Sequence, residues 1–322
     1  MAFNPDILKK FTALKKNEKE IPYTVKEAGL KGDITEVEGA KLLTYNENFA
    51  ISPSLPPAEL FNSECECCLE LLPGVRAKKA EKLKNAGILK IKDALSHEKH
   101  KKHAQDLCGI LSYTPEQLSI RLRERLSGSN RLFYLMSGLY APKDLLFLDL
   151  ETRSLFSETQ IITIGTGYYA DDKTFTVSQF TALNPDAEYE ALMYLDALSS
   201  KFKALVTYNG RSFDVPFANS RFSYYGLRNA AKRFSGFINF DLLHYCRAAF
   251  SKAPAHSLKE MEMYLLKEYR DNDIDGSEVD YHYSRWLKLN KPEDINLITS
   301  HNVIDVRSMA LVLNKLGEKW AK

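Results

Sequence analysis

Two acids close an apolar run in the sequence LLFLDLET, residues 145–152. On a strand, Asp149 and Glu151 would point to the same face, with Leu150 on the opposite one. The apolar run before them is typical of a strand buried on both faces. Two buried carboxylates are unfavourable unless a cation neutralises them, and their oxygen atoms suit Mg²⁺ or Mn²⁺. The pattern therefore indicates a divalent-metal site, although acids that reach solvent at a strand end would read the same way.

Further acids follow later in the chain, in YNGRSFDVPF (208–217) and HNVID (301–305). Asp214 begins a predicted helix and could be an ordinary helix-capping residue. It could equally face Asp149, because strand ends of one sheet cluster at the same edge. His301 and Asp305 are four residues apart and share a helix face. They form either an exposed pair or an inward-facing pair in a cleft beside Asp149.

The elements that must carry these residues begin at residue 145. Strands are expected over residues 145–151, 161–168, 174–181 and 204–208, with a helix over 186–200 and mainly helices after residue 208. Three neighbouring strands, a helix and another strand predict an α/β fold, a mixed sheet flanked by helices. The expected domains are an N-terminal segment of unclear fold (1–60), a smaller, mainly helical module (61–138) and the sheet domain (139–322).

The helical module contains LPGVRAKKAEKL, residues 72–83. Pro73 and Gly74 predict a tight turn between two short helices, and the pattern resembles a helix-hairpin-helix motif. The resemblance implies that Gly74, Arg76, Lys78 and Lys79 bind a nucleic-acid phosphate without reading sequence, as helix N-termini and cations do. Arg76 stands where that family commonly has a second glycine, so the backbone would approach the phosphate less closely. A plain helical hairpin with a solvated basic face is the alternative.

Cysteines and histidines crowd the same module. Cys65, Cys67 and Cys68 precede the hairpin, and His97, His100 and His103 follow it in SHEKHKKH. With Cys108 they could bind zinc or an iron–sulfur cluster, but their spacing matches no standard site. Histidines three residues apart more often form a polar helix face, so the question stays open at this point.

The composition excludes few classes of protein. The 322 residues carry a net charge of only +2, with 44% hydrophobic and 27% charged residues, as in ordinary globular proteins. There is no apolar run of membrane-spanning length. The first sixteen residues are basic and lack the apolar core of a signal peptide. Together with a cysteine pattern unlike a disulfide framework, this predicts a cytoplasmic protein that does not contact membranes.

Three motifs in this order, DLET, YNGRSFDVP and HNVID, resemble those of the DEDD exonuclease superfamily, which has the ribonuclease H-like fold. Within it, the chain most resembles YprB-type ribonuclease H-like proteins over residues 143–318. The second motif is very similar to that of the proofreading exonuclease of family B DNA polymerases. The third departs from pattern, since it has the spacing of the tyrosine subclass with a histidine in the tyrosine's place.

The resemblance implies a 3′→5′ exonuclease that acts on single-stranded DNA or RNA ends with two Mg²⁺ or Mn²⁺ ions. Asp149, Glu151, Asp214 and Asp305 would bind the ions, and His301 would be the general base or orient the attacking water. Asn209 and Phe213 of the second motif are expected to contact the nucleic acid; Phe213 could stack on a base, although core packing is the more common role of such a residue. The altered third motif and Arg76 motivate an alternative, a non-catalytic nucleic-acid-binding protein on a degenerate nuclease fold. A structure-specific endonuclease on the same fold is a third possibility. Stacking by Tyr208 or Tyr225 and phosphate contacts by arginines beside the motifs are further expectations: Arg153, Arg211, Arg307.

Overall fold

The computed structural model describes residues 23–25, 29–156 and 158–321. The basic N-terminal stretch, for which the sequence predicts no signal peptide, lies outside these residues. The described chain separates into two compact units. Among the described residues, the first unit comprises those up to residue 53, 142–242 and 257–312, and the second comprises 54–141, 243–256 and those from 313 onward. The second unit thus includes later parts of the chain in addition to the helical segment expected from sequence.

The first unit contains one eight-stranded mixed sheet, in the order β1-β2-β3-β6-β5-β4-β7-β8. Strand β4 pairs antiparallel with β5 and parallel with β7, which in turn is parallel to β8. The α/β ribonuclease H-like sheet predicted from the sequence is therefore present. The strands are β1 Tyr23–Val25, β2 Asp33–Val37, β3 Ala40–Phe49, β4 Leu145–Thr152, β5 Ile161–Tyr169, β6 Phe175–Ala182, β7 Ala204–Thr207 and β8 Ile238–Asp241.

Helices cover both faces of this sheet. One apolar core joins the sheet to helices that contribute Leu195, Phe217 and Phe234. A second core joins the other face to helices that contribute Tyr283 and Ile298. The α-helices of the described residues are α1 Ala58–Cys67, α2 Ala77–Asn85, α3 Lys101–Leu107, α4 Pro115–Arg123, α5 Arg131–Leu135, α6 Glu188–Ser199, α7 Asp214–Tyr224, α8 Arg228–Gly236, α9 Leu242–Ala249, α10 Leu258–Leu265, α11 Val279–Leu289 and α12 Pro292–Trp320.

Residues 23–49, which the sequence left without an assigned fold, extend this sheet. Strand β3 pairs antiparallel with β6 over eight residue pairs, from Leu42↔Ala182 to Phe49↔Phe175. Its apolar residues Leu42 and Leu43 are buried on opposite faces, so β3 lacks the simple alternation that reveals a half-buried strand. Strand β8 was also missed, because four buried residues are too short a run to separate from the surrounding helices.

The second unit is built from helices α1 to α5, α9 and the end of α12. Its link to the C-terminus is Arg131, whose guanidinium donates to Trp320 O at 2.6 Å and to Glu64 Oε1 at 3.0 Å. Helix α4 begins with a capping box, in which Thr114 and Gln117 bond each other's backbone N–H groups. No helix among the described residues combines the length and the apolar character that crossing a membrane requires.

Candidate active site

Strand β4 directs its two acids toward helix α12. Asn302 Nδ2 donates to Asp149 Oδ2 at 2.7 Å, and His301 Nε2 lies 3.9 Å from Glu151 Oε1. Glu151 is only 7% exposed, and the register of β4 with β5 shifts between Glu151 and Thr152. The alternation of side chains along a strand therefore brings both carboxylates to the same helix.

Asp214 is the first residue of α7 and is held against the same strand. Its Oδ1 accepts a hydrogen bond from Leu150 N at 2.9 Å, and the residue is 3% exposed. The turn before it is fixed by Asp241 at the end of β8, which accepts from Asn209 N at 2.8 Å and Arg211 N at 3.0 Å. Asp241 is fully buried. It is a supporting residue that the sequence did not single out, because β8 itself was not recognised.

Helix α12 supplies His301 and Asp305, one turn apart. His301 Nε2 lies 3.9 Å from Asp305 Oδ2, and ligand atoms of Glu151, His301 and Asp305 all lie within 4.8 Å of one another. The other ring nitrogen, His301 Nδ1, is 2.8 Å from Asp273 Oδ1. His301 is thus held between an acid on one side and two candidate metal ligands on the other.

A buried arginine supports this end of the site. Arg270 donates to Asp305 and to Glu262, and its Nη1 donates to Asp273 Oδ2 at 3.0 Å. The Arg270 side chain is only 4% exposed. No sequence pattern singles out Arg270 or Asp273, because they lie in an irregular segment and acquire partners only through tertiary structure.

Burial dominates the electrostatics of the acids. It raises the pKa of Glu151 to about 7, against an opposing effect of His301, and the pKa of Asp214 to about 8. The pKa of Asp149 is raised well above its ordinary value by burial and then by the charges of Asp305, Glu151 and Asp214. Burial also raises the pKa of Asp305, although His301 and Arg270 oppose the shift. The raised pKa values mean that the ionised acids are unfavourable unless additional positive charge lies beside them.

Helix α12 contributes a third side chain, Asn302, that lies over the centre of the sheet. Its Oδ1 accepts from Gln179 Nε2 at 2.7 Å, while its amide donates to Asp149. Gly165 lies on β5 directly between the register partners Asp149 and Gln179. A Cβ atom at Gly165 would lie 2.0 Å from Asn302 Oδ1, so only glycine leaves room for this amide. The amide thereby holds the Asp149 carboxylate in one orientation.

The donor set fits hard divalent cations. The charged groups include six carboxylates, one guanidinium and one imidazole: Asp149, Glu151, Asp214, Glu262, Asp273, Asp305, Arg270 and His301. Even with His301 protonated, four negative charges would lack a counter-charge when all six acids ionise. Carboxylate oxygens are the ligands that Mg²⁺ and Mn²⁺ prefer. The residues therefore fit the two ions that the resemblance implies.

The other residues predicted to contact nucleic acid in this unit have mixed positions. Asn209 is exposed in the left-handed conformation, with φ of 66°. Phe213 is half-buried, packs on the core, and has its ring centroid 5.4 Å from that of Phe217. Tyr225 OH donates to Glu188. The flanking arginines bind protein groups: Arg153 pairs with Asp280, Arg211 donates to Asn239 O, and Arg307 pairs with Glu268.

In the second unit, the predicted hairpin is only partly formed. Helix α2 follows the turn as expected, and Gly74 has a φ of 70°, but the element before the turn is a three-residue 3₁₀ helix, Leu69–Leu71. Arg76 and Lys78 are exposed and Lys79 is half-buried. Among the described residues, the cysteines and histidines of this unit do not form a group with metal-binding geometry. The open question of a zinc or iron–sulfur site thus finds no support in the described geometry.

Comparison with known proteins agrees with this fold. A model of the RNase_H superfamily matches residues 146–317, and the chain belongs to that superfamily. It is 29% identical over 184 residues to the uncharacterized protein YprB of Bacillus subtilis (strain 168), covering 56% of this chain and 43% of that protein. A family B DNA polymerase from the hyperthermophilic archaeon Pyrobaculum calidifontis is similar in structure, with a TM-score of 0.40 and 17% identity over 55% of this chain and 27% of that one. The chain thus spans less than half the length of either relative. The superfamily and the acidic site fit a nuclease.

Proposed function

We propose that the chain is a divalent-metal-dependent exonuclease that hydrolyses phosphodiester bonds at the 3′ ends of single-stranded DNA or RNA. The observation that carries the proposal is that four acids from three separate parts of the chain lie close enough to influence one another's charge: Asp149, Glu151, Asp214 and Asp305. Acids so deeply buried are tolerable in the ionised state only with cations among them. A purely structural role would be served better by neutral side chains.

Each residue then has a distinct task. Asp149, Glu151, Asp214 and Asp305 would hold two Mg²⁺ or Mn²⁺ ions, which when bound supply Lewis acidity to the phosphodiester group. His301 would accept a proton from the attacking water through Nε2, the ring nitrogen that faces Glu151 and Asp305. Asn302 would keep Asp149 in one orientation through its 2.7 Å hydrogen bond.

The direction of cleavage and the preference for single strands come from the motif resemblance. DLET, YNGRSFDVP and HNVID are similar to the three motifs of DEDD exonucleases and occur in the same order. Asn209 is exposed on the turn that precedes Asp214, where it could contact a nucleotide. DNA and RNA remain equal candidates, so both belong in the test.

The test is the digestion of 5′-labelled single-stranded DNA and RNA oligonucleotides with Mg²⁺, with Mn²⁺ and with a chelator. We expect a ladder that shortens from the 3′ end, and a phosphorothioate at the last 3′ linkage should block it. Asp149→Asn should lose activity by at least about 100-fold. The matched control is Asp172→Asn, which neutralises an exposed acid of the same unit and should retain activity.

Other results would identify the alternatives. Cleavage of circular single-stranded DNA would indicate an endonuclease. Salt-sensitive binding without cleavage in either metal would support a non-catalytic nucleic-acid-binding protein on this fold. Equal cleavage by the wild type and Asp149→Asn would assign the activity to a contaminant and reject the proposal.

The second unit would add affinity that does not depend on sequence. Arg76, Lys78 and Lys79 surround the exposed turn at Gly74, at the N-terminus of the nine-residue helix α2. Cations and backbone N–H groups there suit a phosphate. The short element before the turn differs from a full helix-hairpin-helix, so the contact is proposed on charge and exposure and needs the binding test described in the Discussion.

A further inference from the structure

Helix α12 alone does not determine which ring nitrogen of His301 carries the proton. A neutral imidazole carries one proton, and it can act as a base only through the nitrogen that lacks it. The nitrogen that faces Glu151 and Asp305 is Nε2, at 3.9 Å from each. For Nε2 to act as the base, the ring proton must stay on Nδ1. The hydrogen-bond partner of Nδ1 determines whether the proton stays there.

That partner is Asp273, from the segment between α10 and α11. Its Oδ1 is 2.8 Å from His301 Nδ1, and its side chain is 2% exposed. An ionised carboxylate only accepts hydrogen bonds, so this contact requires a proton on Nδ1. The contact at 2.8 Å is a hydrogen bond, whereas the separations of 3.9 Å on the other side are not.

Asp273 is itself held in one orientation. Arg270 Nη1 donates to Asp273 Oδ2 at 3.0 Å, and the same guanidinium donates to Asp305 and Glu262. Arginine has no acceptor atom, so the carboxylate must turn one oxygen to Arg270 and the other to His301. Asp273 therefore accepts two hydrogen bonds, one from each neighbour.

We propose that Asp273 is a positioning residue of the nuclease site, which fixes the Nδ1–H tautomer of His301 and leaves Nε2 as the acceptor facing Glu151 and Asp305. The role of Nε2 as base rests on the proposed function, while the tautomer does not. The inference also gives a physical reason why a histidine can stand at the tyrosine spacing of the third motif. The ring obtains its orientation from outside the motif.

The structure makes Asp273→Asn a specific test. The asparagine carbonyl must face Arg270, which only donates, so the amide NH₂ must face His301. The ring would then have to accept at Nδ1 and carry its proton on Nε2, the reverse of the native arrangement. The substitution conserves shape, so a purely structural role for Asp273 would survive it with little change. Asp271→Asn, an exposed acid two residues away, is the matched control.

The primary measurement is ¹⁵N nuclear magnetic resonance of protein labelled in its histidine rings, in mildly alkaline buffer with and without Mg²⁺. The His301 signals are assigned by their loss in His301→Gln. We expect Nδ1 to be protonated in the wild type and in Asp271→Asn, and Nε2 to be protonated in Asp273→Asn. A wild-type ring with its proton on Nε2 would overturn the inference, and this result requires no variant to fold.

Kinetics supply the second measurement. For Asp273→Asn we expect kcat to fall by about 100-fold or more with KM little changed, because binding groups remain and the base is masked. Asp273→Glu should recover part of kcat, since it restores an acceptor. An unchanged kcat in Asp273→Asn together with a reversed tautomer would show that His301 is not the base. An inactive wild type with the expected tautomers would reject the proposed function and leave the positioning by Asp273 intact.

Discussion

Removing one charge from the acid cluster should stabilise the metal-free protein while it abolishes function. Burial raises the pKa of Glu151 from an ordinary 4.5 to about 7. The native state therefore binds more protons than the unfolded state between these values, and its stability falls as pH rises through this window. A displacement of about 2.5 pH units corresponds to about 3 kcal/mol, reached in full only above about pH 7.

The substitution Glu151→Gln removes this dependence. Relative to wild type, we expect the metal-free variant to gain about 2–3 kcal/mol more at pH 8.5 than at pH 5, where most of Glu151 is protonated. Asp214, whose pKa is raised to about 8, also lowers stability as pH rises, and it does so in both wild type and variant. Mg²⁺ at 100 times its Kd should remove most of this difference at pH 8.5, since it adds about 2.7 kcal/mol to the protein that binds it.

The assay can report the first unit alone. The chain has two tryptophans, and Trp286 lies buried in that unit while Trp320 belongs to the second. Urea unfolding followed by fluorescence in a Trp320→Phe background therefore follows Trp286. The exposed Glu158→Gln serves as the control for a lost surface charge. Parallel stability curves for wild type and Glu151→Gln between pH 5 and 8.5 would refute the electrostatic reasoning.

Three further predictions follow from the same structure. Binding of Mg²⁺ should release protons and strengthen as pH rises from 6 to 8.5, because Glu151 and Asp214, with pKa values of about 7 and 8, must ionise to bind it. Calorimetry in buffers of different ionisation enthalpy measures the number of protons released, and a pH-independent Kd would contradict the prediction. Gly165→Ala should displace Asn302, cost about 1–3 kcal/mol of stability and lower kcat, whereas Gly236→Ala, whose Cβ meets nothing within 4 Å, should do neither. In an Asp149→Asn background, the double variant Arg76→Ala, Lys78→Ala should bind all oligonucleotide sequences more weakly and reduce the slope of log K against log salt concentration by about 1–2. Fluorescence anisotropy of labelled oligonucleotides measures this slope, and an unchanged slope would show that the hairpin is not part of the binding surface.

The sequence predicted the sheet where the hydrophobic pattern was strong. Strands β4 to β7 lie within a residue or two of their expected bounds, because each is a continuous or alternating apolar run between clear breaks. Strands β1 to β3 and β8 were not predicted, since short strands, or strands buried unevenly on two faces, leave no such pattern. Their pairing partners, such as β6 for β3, lie far away in sequence and become visible only in the fold.

In the site, likewise, residues placed by the period of one strand or helix were predicted, and residues placed only by tertiary contacts were not. Asp149 and Glu151 were found because the two-residue period of a strand places them on one face, and His301 and Asp305 because a helix turn does the same. Asp273 and Arg270 obey no period, and their partners are 28 and 35 residues distant along the chain. Asn302 is adjacent to His301 in sequence, yet its role depends on the space that Gly165 leaves for it.

Arg270 bears on the choice between a nuclease and a degenerate fold. One buried guanidinium balances only part of the charge of the three acids that it contacts: Glu262, Asp273 and Asp305. Its hydrogen bonds go to those three acids and not to Asp149, Glu151 or Asp214, whose pKa values are raised by burial. In a fold that had lost its metals, substitutions of these three acids by neutral residues would increase stability at neutral pH. The chain retains all of them, and its buried Arg270 orients the third motif instead, which is the arrangement expected of a site that still binds cations.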